Sequence, residues 1–146
     1  MGDWADSALN RMREAKRKNE LQQEAFVEKQ RVKKAQAPAI WSKVRGHVEF
    51  DCGELNRKAG ETLLGFRDME QGRLEVKLAG DDRVLRIVFD FGSGTLRWGC
   101  SGGKGDAETG SWDIQVDTEG SVHLADKFGP TRPKYAAEAM LNALLR

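Results

Sequence analysis

Four side chains in this sequence have the chemistry for nucleophilic catalysis or soft-metal binding: His47, Cys52, Cys100 and His123. A catalytic thiol needs an imidazole, a helix N-terminus or a cation to favour its thiolate. Leu96, Trp98 and Cys100 are spaced two apart, so Cys100 is expected to face inward with its apolar neighbours. His123, between Val122 and Leu124, is expected to face outward, which leaves a sheet between thiol and imidazole. As a Cys2His2 set the four match no zinc spacing. Asp81–Asp82 is a carboxylate pair in a turn, where acids are ordinary solvated residues. The expectation is therefore no catalytic residue, no metal and no cofactor, and a protein that is not an enzyme. Two histidines in opposed surroundings leave little acid–base capacity near neutral pH.

The stretch RWGCSGGKGDAETGSWDI, residues 97–114, raises the question of a phosphate loop. Gly103–Lys104 resembles the centre of G-x-x-x-x-G-K-[ST], but Trp98 stands where the first glycine belongs. Gly105 stands where the magnesium-binding hydroxyl belongs. SWDIQV follows and alternates like a strand, so no helix N-terminus would face an anion. With no strand–helix–strand unit, the dinucleotide fingerprint fails as well. A mobile hairpin connection is the simpler reading.

The elements around these residues divide by charge. Residues 1–45 hold eleven Lys or Arg against six Asp or Glu, whereas residues 46–146 hold thirteen against seventeen. From Trp4 to Ala35 there is neither Pro nor Gly, and good helix formers dominate. Trp4, Ala8, Met12 and Ala15 recur every three or four residues, a thin apolar stripe. The chain thus divides into a basic helical arm, 1–36, and an α+β domain, 37–146. Pro38 suits the first turn of a second helix, with Ile40, Trp41, Val44, Val48, Cys52 and Leu55 on its buried face and Gly60 as its stop.

Beyond it, apolar residues fall at period two. Leu74, Val76 and Leu78 form one set, and Leu85, Ile87, Phe89 and Phe91 the next. Leu96, Trp98 and Cys100 follow, then Trp112, Ile114 and Val116, and finally Val122 and Leu124. Short turns separate these segments, so successive strands pair antiparallel. TLLGF at 62–66 adds a sixth strand. One face of such a sheet is dry. The segment from Pro133, with Ala136, Met140, Leu141 and Leu144 on one side, is a helix that can cover it. The expected fold is α+β: a five- to six-stranded antiparallel meander with helices packed on one face, preceded by a long basic helix. The outer face mixes Arg73, Glu75, Lys77, Arg86 and Arg97 with Asp90 and Asp113, which suits cross-strand pairing rather than nucleic-acid stacking.

The N-terminus lacks a secretory pattern and no apolar run is long enough to span a bilayer, so the expected location is cytoplasmic. The function expected from these features is a non-enzymatic interaction module. Its arm binds a protein partner, or a second copy, through Trp4, Ala8, Leu9 and Met12. A second expectation, from a different class, is a small-molecule domain with an apolar pocket between sheet and helices lined by Trp41, Trp98 and Trp112. The third and weakest is nucleic-acid association through the basic arm.

Overall fold

The computed structural model describes residues 2–103 and 107–146. It opens with one helix, α1, Gly2–Ala59. Seven strands follow: β1 Leu64–Glu70, β2 Arg73–Leu78, β3 Val84–Asp90, β4 Thr95–Ser101, β5 Glu108–Val116, β6 Val122–Asp126 and β7 Gly129–Thr131. Helix α2, Pro133–Leu145, closes the chain. The strands lie in sequence order with every neighbouring pair antiparallel. The fold is thus α+β with an antiparallel sheet.

Three expectations need correction. Pro38 does not begin a second helix; it lies inside α1, which runs through it unbroken. A proline there removes one helical N–H and leaves the carbonyl four residues back without its donor. Pro38 is exposed, whereas Ala37, Ile40, Trp41 and Val44 are buried, so tertiary packing holds the turn on one side and solvent faces the ring on the other. The strands number seven among the described residues, not five or six. The extra one, β7, is three residues long and contains Pro130, too short to show a period. The sixth expected strand is β1, and it runs further than TLLGF, to Glu70. There the chain turns through Glu70, Gln71 and Gly72, all with positive φ.

The register puts Leu74 beside Ile87, Ile87 beside Trp98, Phe89 beside Leu96, Leu96 beside Trp112 and Ile114 beside Leu124. Cross-strand partners share a face, so these side chains form one apolar surface. They join a single core with Ala37 to Cys52 of α1 and with Ala136, Met140, Leu141 and Leu144 of α2. Polar stitches hold the helix ends to this core. Asn56 accepts hydrogen bonds from the amides of Leu63 and Leu64 and donates to the Leu64 carbonyl, which fixes the exit of α1. Arg83 donates to the carbonyls of Leu144 and Arg146, supplying the α2 C-terminus with the cation its own last turn lacks.

Glu75 shows how the outer face is arranged. It lies opposite Arg67 and Arg86, yet is only 7% exposed. Lys77 and Arg86 approach it at 3.4 and 3.6 Å, and their long stems cover it.

Candidate functional site: the projecting arm

The candidate site is the first thirty residues of α1. The earliest fully buried residue of the helix is Ala37, and the last half-buried ones before it are Val32 and Lys33. Lys33 packs over the β3–β4 turn at Gly94, where an added Cβ would stand 2.5 Å from the lysine Cε. From Gly2 to Arg31 every residue is exposed except Ala8, which is half-buried. At 1.5 Å per residue that segment reaches about 45 Å beyond the domain.

A free helix of this composition is marginal alone, because nucleation is costly. Here the docked half supplies the nucleus: Ala37, Ile40, Trp41, Val44 and Val48 anchor the helix, and each residue added N-terminally extends an existing ladder. The anchored residues sweep an arc of roughly 100° on a helix that turns 100° per residue. Carried back along the arm, the same arc holds Trp4, Ala8, Met12, Ala15, Asn19, Gln22 and Phe26. No charged residue enters it before Lys33. The face that docks on the domain therefore continues outward as an uncharged stripe, exposed apart from half-buried Ala8. Trp4 is 76%, Met12 69% and Phe26 64% exposed. Of the expected contact residues, Trp4, Ala8 and Met12 share this stripe, whereas Leu9 falls about 40° outside its arc. Phe26 extends the stripe, resuming it beyond Asn19 and Gln22 as its spacing in the sequence suggests.

Of the three tryptophans expected to line one pocket, Trp98 and Trp112 share a cleft that Trp41 does not line. Trp41 stacks on Phe89 in the core, ring centroids 5.7 Å apart. Trp98 and Trp112 instead border an open cleft of about 660 Å³ with Ser111, Asp113, Lys127 and Phe128, where β6 turns into β7. The Trp98 indole packs against Gly110, where an added Cβ would collide with its ring. Both indole N–H groups, of Trp98 and Trp112, are buried without a hydrogen-bond acceptor.

Sequence reasoning missed a second cleft, of about 490 Å³, along the seam of the two helices. His47 and Asp51 of α1 line it with Lys134 of α2. Burial pushes the Asp51 carboxyl up, Glu138 adds to that, and His47 and Lys134 partly oppose it. One Asp51 oxygen is buried with no donor. His47 and Asp51 are four apart on a helix, a signal available from sequence, but their partners come from residues more than eighty positions away.

The cysteines are both free. Burial, then the Asp51 charge, pushes the Cys52 thiol up to about 11, so it stays protonated and unreactive at neutral pH. Cys100 sits opposite Leu85 on the core side of β4, half-buried, and burial followed by Glu108 raises its pKa. His123 pairs with Gln115 on the other face. Among the described residues no group of three or more His, Cys, Asp or Glu is placed to hold a metal ion. The glycine stretch joins antiparallel β4 and β5, and its Lys104 lies outside the described residues. No helix among the described residues is long and apolar enough to cross a membrane.

Comparison with protein-family models, with curated proteins and with solved structures returned no match to this chain.

Proposed function

We propose that this protein is a non-enzymatic interaction module. The α+β domain, with its two helices covering one face of the sheet, is a rigid base, and the arm is the contact element. Trp4, Ala8, Leu9 and Met12 form the distal part of the contact and Phe26 the proximal part. The carrying observation is the stripe: it is continuous with the docked face of α1, yet Trp4, Met12 and Phe26 are each more than 60% exposed. Covering such a side chain fully is worth about 1.5–3 kcal/mol, which rewards a partner laid along the arm.

The test compares the parent chain with Leu9→Glu/Met12→Glu. Mass is followed by light scattering over a concentration series, and binding to helical peptides by calorimetry. The reading predicts association in one of these two assays and its loss in the variant. A chain that stays monomeric and binds no helical peptide contradicts it.

A second reading, small-molecule binding, draws on the cleft beside Trp98 and Trp112. Screening ligands against the intrinsic tryptophan emission of the parent and of Trp112→Phe tests it. A ligand shift that persists unchanged in Trp112→Phe would place binding elsewhere.

A further inference from the structure

We infer that the arm's partner is an acidic amphipathic α-helix of another protein, paired with it as a heterotypic coiled coil. The inference rests on the arm being a contact surface and adds what contacts it.

Charge is segregated around the arm as well as along it. In the half of the arm centred on the stripe stand Arg11, Lys16, Lys18 and Lys29, and no acid. Asp3, Asp6, Glu14, Glu20, Glu24 and Glu28 all lie on the opposite half, where Glu28 pairs with Arg31. A surface lying against the stripe therefore meets cations on both sides of it.

The stripe also fits a heptad. Ala5, Met12, Asn19 and Phe26 are seven apart, with Ala8, Ala15 and Gln22 in the companion series. These two series are the a and d positions of a coiled-coil seam, and the flanking e and g positions set partner choice. Here those flanks include Arg11, Lys16 and Lys18, with no acid among them. In a parallel pair of two identical arms, Arg11 of each would face Lys16 of the other. An antiparallel pair would also press one cationic half onto another. A second copy is thus opposed by the same residues that attract a helix carrying Glu or Asp at its flanks. Asn19 in the seam favours a partner with a polar residue at the matching level, as buried asparagines fix coiled-coil register.

Other anions fit less well. A bilayer surface would have to take Asn19, Gln22 and Gln23, in the middle of the stripe, into its acyl boundary. A helix in a nucleic-acid groove is approached by phosphates from its flanks and rear, and Glu20, Glu24 and Glu28 would repel them there.

The test uses the full chain and four probes. The first is a four-heptad peptide with Val at a, Leu at d, Glu at e and g, and one Asn at the level of Asn19. The second is its twin with Lys at e and g. The others are phosphatidylcholine–phosphatidylserine vesicles and a short DNA duplex. The expected result is binding of the Glu peptide about tenfold or more tighter than the Lys peptide at low salt, with the gap narrowing as salt rises. Arg11→Glu/Lys16→Glu/Lys18→Glu should reverse the preference. All three positions are exposed, so the domain's unfolding curve should not change. Equal binding of both peptides overturns the inference, as does binding of vesicles or DNA while both peptides are ignored. A doubled mass that Leu9→Glu/Met12→Glu abolishes also overturns it, yet leaves the arm as a contact surface. Absence of any association removes both readings.

Discussion

Ile87 and Val88 are neighbours in β3, one fully buried and the other 43% exposed. Ile87→Asp places a carboxylate in the core and should cost about 4 kcal/mol or more. Val88→Asp places it between Arg73 and Arg97 on the outer face and should cost less than about 1 kcal/mol. Urea unfolding of the two variants checks this; equal losses would mean both faces of β3 are covered. Asp51 makes a prediction of opposite sign. Its carboxyl is harder to ionise in the folded chain than in the unfolded one. An acid shifted upward weakens the folded state once it ionises, and the deficit disappears as pH falls below the unfolded value. Asp51→Asn should therefore raise the melting temperature at pH 7, with the gain vanishing near pH 3. A lower melting temperature at pH 7 would mean the Asp51 charge has a compensating partner. The alternation that separates Ile87 from Val88 was legible in the sequence. The neighbours of Asp51 were not, since Lys134 and Glu138 reach it only through the packing of α2 on α1.

At the level of elements, strands were legible wherever one face was dry, because a period of two survives without knowledge of the partner strand. They failed at β7, where three residues around Pro130 carry no period. Helix boundaries failed at Pro38, because a local rule about proline was overridden by Ala37, Ile40 and Trp41 packing on the core. That override has a cost. Relative to alanine, an interior proline disfavours a helix by about 3 kcal/mol. Pro38→Ala should thus stabilise the chain and raise amide protection in the turn before it. An unchanged melting temperature with unchanged exchange would mean the helix is already interrupted there.

At the scale of the molecule, the domain and the arm are joined by one helix, and the stripe stays exposed only because that helix does not bend back. The sequence disclosed the basic arm and its stripe from Trp4 to Ala15, with a weak resumption at Phe26. It did not disclose that this stripe is in phase with Ile40 and Val44, since phase carries over only through an unbroken helix. The same continuity places Arg11, Lys16, Lys18 and Lys29 beside the stripe and the acids behind it. Spin labels at Ser7→Cys and Ser42→Cys, both exposed, test this directly in a Cys100→Ser background that leaves only buried Cys52. Thirty-five helical residues span about 52 Å, so the electron–electron distance should be narrow and centred near about 50 Å. A broad distribution, or a peak below about 30 Å, would show an arm that frays or folds back at Pro38 and would contradict the account.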